Sequence, residues 1–378
     1  MGRRPGRVGR LLLAAIALLA LAAARPVVAQ TADALARSAH RECGGEAPLE
    51  KIACYEAALT PVARAGDLPR ALSAVEALAA LDPEVRRDGH LYVHGLGIAA
   101  YDPGRDVAET FIRCSELFHA GCYHGVIQAY FAATGDATAE RVNGICTRVR
   151  QRRPDTWIYF QCVHGLGHGL TILYGHDLPR GLEGCDLLTG AWERESCYGG
   201  AFMENAGNAT HPHHAALMQG IDGGGEHGAH GHGGDRQAFR PIDPENPHYP
   251  CTAVGQKYRE ACYGMQTTVM LYLNDYNFAD AARTCDGAAE DLRRTCHQSL
   301  GRDASGYVGQ DPDETRNLCR LDRSPYAAWC YIGDVKAIND WTGTPDAGFS
   351  FCAAVTEDVA RIRCYEAVGE QVGIMLDV

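Results

Sequence analysis

Residues 262–296 read CYGMQTTVMLYLNDYNFADAARTCDGAAEDLRRTC, and the spacing of their three cysteines decides the fold. Cys262 and Cys296 stand 34 residues apart, and Cys285 precedes the second of them by 11. From Cys262 to Asn274 the chain is rich in apolar residues and long enough for a three-turn helix. A polar break follows, and a shorter helix then runs from Asp280 to Cys285. One period therefore reads as helix A, turn, helix B, with a disulfide tying the end of B to the start of the next A.

Working outward, the second cysteines Cys262, Cys296, Cys330 and Cys364 recur every 34 residues. Backward from Cys262 the intervals are 65, 35, 40 and 68, the last ending at Cys54. The 65 is one period plus an insertion of about 31, and the 68 is two periods, with Tyr92 where a cysteine would stand. The expectation is an all-α solenoid of about nine disulfide-stapled helix-hairpin repeats. One 34-residue hairpin cannot bury its apolar face alone, so each unit must rest on its neighbours.

All sixteen cysteines fall into consecutive pairs. Cys43 is expected to bond with Cys54, Cys114 with Cys122, Cys146 with Cys162, and Cys185 with Cys197. In the second half Cys251 should bond with Cys262, Cys285 with Cys296, Cys319 with Cys330, and Cys352 with Cys364. No C-x-x-C occurs, which leaves zinc ribbons, thioredoxin-type redox pairs and haem attachment without their spacing. Around each second cysteine the local sequence also repeats. An aromatic often follows it (Tyr55, Tyr198, Tyr263), a small residue comes three places on (Gly125, Gly200, Gly333), and a basic residue often stands three places before (Lys51, Arg194, Arg259, Arg293, Arg361). The breaks carry Asp, as in Asp177 and Asp311, whose carboxylate suits the first free N–H groups of helix B.

The 34-residue helix-turn-helix period, the small residue early in helix A and the Asp-capped helix B resemble the tetratricopeptide superfamily. The nearest branch is the secreted cysteine-rich Sel-like proteins, although their Leu-Gly and Gly-x-Gly signatures are mostly missing here. The resemblance is architectural and spans most of residues 43–370. It implies protein or peptide binding on a concave face and carries over no catalytic residue. The Gly-rich strings at Cys162 and Cys197 are also similar to the inner helices of lanthionine cyclases, zinc α/α toroids with a longer period and free zinc cysteines.

Residues 1–29 read as a signal peptide: Arg3, Arg4, Arg7 and Arg10, an apolar run from Leu11 to Ala24, then small residues to Ala29. The run is shorter than the ~20 residues a membrane span needs. The expected organisation is thus 1–29 signal peptide, 30–204 N-terminal repeats, 205–250 an insertion, and 251–378 C-terminal repeats. An even cysteine count in such a chain reads as an exported protein, periplasmic or extracellular. Without residues 1–29 the formal charge moves from −12 to −17, because five arginines leave and no acid does. That balance repels a phosphate backbone and argues against nucleic acid as a partner.

Histidine is the one residue type whose placement hints at chemistry. His94, His124 and His164 stand two places after Tyr92, Cys122 and Cys162, each followed by Gly. His168 lies four residues beyond His164 and His90 four before His94, hence on shared helix faces. Neutral imidazoles at that spacing suit zinc, copper or nickel, and the competing reading is separate packing of each ring against a carbonyl. No Glu follows the first His as in H-E-x-x-H, so a zinc-protease reading lacks its base. A second group, His211, His213, His214, His227, His230 and His232, sits among glycines in the insertion and reads as a solvated loop able to hold such metals.

Three functions follow: a scaffold for a partner protein or peptide, a metal-binding or metal-delivery protein, and a metal-dependent enzyme built on His94, His124, His164 and His168. Whether the chain is an enzyme stays open, leaning against.

Overall fold

A computed structural model of the protein describes residues 30–210, 239–342 and 344–376. Among the described residues there is no strand. The helices are α1 Ala32–Cys43, α2 Pro48–Arg64, α3 Leu68–Ala79, α4 Pro83–Arg87, α5 Gly89–Ala100, α6 Val107–Phe111, α7 Leu117–Thr134, α8 Ala139–Arg152, α9 Thr156–Leu173, α10 Leu178–Cys185 and α11 Ala191–Thr210. After the insertion come α12 Arg259–Tyr263, α13 Gln266–Leu273, α14 Phe278–Asp286, α15 Arg293–Tyr307, α16 Pro312–Cys319, α17 Ala327–Thr342, α18 Asp346–Ala353 and α19 Asp358–Leu376.

Among the described residues the A helices are α2, α5, α7, α9, α11, the pair α12–α13, α15, α17 and α19, and each packs on the next. Every cysteine is bonded to the partner that the repeat assigns it. In the N-terminal half Cys43 joins Cys54, Cys114 joins Cys122, Cys146 joins Cys162, and Cys185 joins Cys197. Beyond the insertion Cys251 joins Cys262, Cys285 joins Cys296, Cys319 joins Cys330, and Cys352 joins Cys364. Their Cα–Cα distances of 5.5–5.7 Å are those of an unforced bridge. Seven of the eight second cysteines lie within an A helix beside an equally buried first cysteine, and Cys330 and Cys364 are 1 % and 0 % exposed. Cys54, in α2, is the partly buried exception. The B helices start where the sequence puts a cap. Asp177 accepts from the Arg180 N–H, and Asp311 from those of Asp313 and Glu314.

The recurring basic residue has a structural task that its position alone does not reveal. Arg194, Arg259, Arg293 and Arg361 donate to the carbonyls of Leu188, Val254, Ala288 and Val355, each three residues past the first cysteine of its staple. The guanidinium thereby satisfies an acceptor freed where helix B ends. Lys51 departs from the pattern and reaches Glu84 at 2.7 Å instead. The aromatic place behaves alike in two units: the Tyr198 hydroxyl donates to Asp186 at 2.5 Å, and the His297 Nε2 lies 3.2 Å from Asp286. Both carboxylates directly follow the first cysteine.

Glycines set how closely the A helices approach. A Cβ on Gly97 would strike the Cys122 carbonyl, and one on Gly125 the His94 carbonyl, so α5 and α7 meet backbone to backbone. The same reciprocal pair recurs between α9 and α11 (Gly167, Gly200) and between α15 and α17 (Gly301, Gly333). The array also winds tightly enough to return on itself: α7 touches α17 and α9 touches α19, each pair five repeats apart. Over that stretch A helices five units apart are in direct contact.

Three local expectations change. The helix expected from Cys262 to Asn274 breaks at Gly264–Met265, where Arg302 Nη1 takes the Gly264 carbonyl at 2.6 Å. The short Cys114–Cys122 loop spans its 5.6 Å through a left-handed turn at Phe118, His119 and Ala120 (φ 51°, 55° and 58°). The insertion is narrower than 205–250: α11 continues to Thr210, Asn205 Nδ2 donates to the Pro241 carbonyl at 3.0 Å, and Gln266 Nε2 donates to the Pro247 and Tyr249 carbonyls. Backbone carbonyls of 239–250 thus serve as acceptors for the helices on either side.

Candidate metal centre

The inner-face histidines arrive together because equivalent places in stacked repeats are neighbours. His124 comes from α7 and His164 and His168 from α9, with the glycines beside them letting the two helices close up. One imidazole nitrogen from each of the three lies within 4.8 Å of the others, and all three residues are buried. The His124 and His168 rings stack with centroids 4.5 Å apart, and those of His124 and His164 are 5.3 Å apart. The row ends at Gly199, which holds the same place in α11 and leaves room for the His164 ring.

Burial acts on these groups through desolvation of the charged form. It holds His124 well below the usual imidazole range, and the neighbouring His168, His164, His90 and His94 push the same way. His164 is lowered by burial and by His168, against an opposing hydrogen bond with the Ser196 backbone. Both are therefore neutral and carry a lone pair. Both nitrogens of His124 and the Nε2 of His168 are buried with no hydrogen-bond partner. Each such nitrogen costs about 1–3 kcal/mol, and the separate-packing alternative asks for a carbonyl on each ring.

Around the three nitrogens, α11 supplies the outer contacts. Glu204 Oε2 lies 2.9 Å from His168 Nδ1, and Glu204 Oε1 lies 3.6 Å from Nδ1 of His176. The other candidates stand further out. His90 places Nδ1 2.9 Å from the Phe118 carbonyl, and its ring is 5.5 Å from that of His124. His94 is buried with its ring 6.1 Å from His90, but neither joins the three-nitrogen group. His211, His213, His214, His227, His230 and His232 lie outside the described residues. Glu204 escaped the sequence reading; its one signal was its place seven residues past Cys197, two turns along α11, where the unit of Cys296 carries Asp303.

The chain matches no known protein family, no curated protein and no solved structure. No helix among the described residues is long and apolar enough to cross a membrane.

Proposed function

We propose that this is an exported helical-repeat protein that binds a transition-metal ion, with His124, His164 and His168 as ligands. The observation that carries the reading is the convergence of three buried imidazole nitrogens, two of the rings lacking any other partner for the facing nitrogen. Metal–nitrogen bonds near ~2.1 Å require the ligand atoms to draw in by only about 1 Å. All sixteen cysteines are in disulfides, so the donor set is nitrogen alone, which suits zinc, copper and nickel. The residues present fit such an ion, whose binding would fix α7 to α9.

Metal analysis of protein exported without a tag tests this directly. A variant with the six insertion histidines replaced should retain about one equivalent of metal after dialysis against a weak chelator. Adding His124→Ala should abolish that equivalent. Metal lost in full with the insertion histidines would sink the buried site.

A partner protein remains a second reading, on a different surface. Val359 is 70 % exposed and Ile362 59 %, beside exposed Phe349 and Tyr365, on the last unit of the array. A pull-down that is lost on Val359→Asp with Ile362→Asp, with the fold intact, is the result this reading expects.

A further inference from the structure

We infer that Glu204 is the positioning residue of the centre: it fixes His168 as the Nδ1–H tautomer and presents Nε2 to the ion. This rests on the metal reading above.

Glu204 is 5 % exposed, and its two oxygens are divided between two histidines. Oε2 takes His168 Nδ1, while Oε1 faces His176 in the turn after α9, where φ is +62°. A carboxylate oxygen at 2.9 Å accepts from an Nδ1–H, and a ring that carries its single proton on Nδ1 keeps its lone pair on Nε2. That Nε2 is the buried, unpartnered nitrogen. The carboxylate also makes the imidazole a stronger donor, and a dication on its far side would offset the cost of burying the charge. The centre thus spans three repeats, with His124 on α7, His164 and His168 on α9, and their orienting group on α11.

The same geometry separates Glu204 from a residue that only packs. Losing a packing residue alters stability; losing this one alters which nitrogen of His168 is protonated. Outer carboxylates of this kind change metal affinity by about 10–100-fold.

Two measurements decide it, in the variant without the six insertion histidines. Long-range 1H–15N spectra of the metal-free protein should show His168 as Nδ1–H, and Glu204→Ala should shift it toward Nε2–H. Competition of Zn2+ with a chromophoric chelator should show affinity about 10–100-fold weaker in Glu204→Ala. Glu204→Gln, which keeps an acceptor and the volume but not the charge, should fall between. Zinc binding that is equal in wild type, Glu204→Gln and Glu204→Ala overturns the role of Glu204 and leaves the metal centre standing. His168 found as Nε2–H in the wild type also overturns it. A wild type that takes up no zinc while His168 stays Nδ1–H instead overturns the metal centre and keeps the tautomer assignment.

Discussion

The rings of His124 and His168 stack 4.5 Å apart with planes 16° from parallel, although 44 residues separate them in the chain. Two imidazoles held this way in a dry interior gain little from each other. Both nitrogens of His124 and the Nε2 of His168 forgo the hydrogen bonds they would make in water, which is the energetic sign of a site kept for a ligand.

A trade-off between stability and binding should follow. In the presence of a strong chelator, His124→Leu is expected to stabilise the protein by about 1–3 kcal/mol, because it removes buried unpaired nitrogens and keeps the volume. Without chelator, the same variant should lose its metal and the stabilisation that metal brings. Denaturant melts in both conditions check this. A large loss of stability in chelator would show that His124 is satisfied within the protein.

The glycines of α11 offer a paired test of close packing. Gly200→Ala drives a methyl into the His164 carbonyl and should cost about 1–3 kcal/mol. Gly207→Ala, in the same helix with nothing within 4 Å, should stabilise by about 0.5–1 kcal/mol. Equal effects from the two would refute backbone contact between α9 and α11.

A pH dependence is expected from Asp340 in α17. Burial pushes its carboxyl up to about 7, and Gln371 Nε2 donates to its Oδ1 at 2.8 Å. A raised folded-state value means the stability it contributes is full below about 4 and is lost as pH rises toward 7. The loss is no more than about 4 kcal/mol. His124 and His164 pull the other way, since their lowered values favour the fold as pH rises toward 6.5. The clean readout is therefore the difference between wild type and Asp340→Asn. The variant should gain on wild type from pH 4 to pH 7, and a flat difference would place the carboxylate in contact with water.

The limits of the insertion can be tested by two deletions. Replacing residues 211–238 by a short Gly/Ser linker should leave helicity and melting close to wild type. Deleting 206–248 should cost cooperativity, because it removes Pro247, one of the two carbonyl partners of Gln266 Nε2, and the Tyr263–His248 bond of 3.0 Å. Circular dichroism separates the outcomes, and identical melts would make 239–248 dispensable.

What could be read from the chain was local. The eight staples from Cys43–Cys54 to Cys352–Cys364 and the Asp caps each depend on residues at most 16 apart, so spacing and side-chain type suffice to assign them. The contact at the Gly264 break could not be read that way, because the guanidinium that takes up the Gly264 carbonyl belongs to Arg302, 38 residues on.

The sequence by itself determined that helices A and B alternate, and that His94, His124 and His164 hold equivalent places in their units. Only the tertiary structure decided that Glu204 reaches His168, that His90 turns to a carbonyl, and that α7 comes to rest against α17. Successive repeats pack through their A helices, and in three of those pairs glycines let the backbones touch. No single unit encodes the sum of those contacts, and that sum sets which side chains meet at the centre.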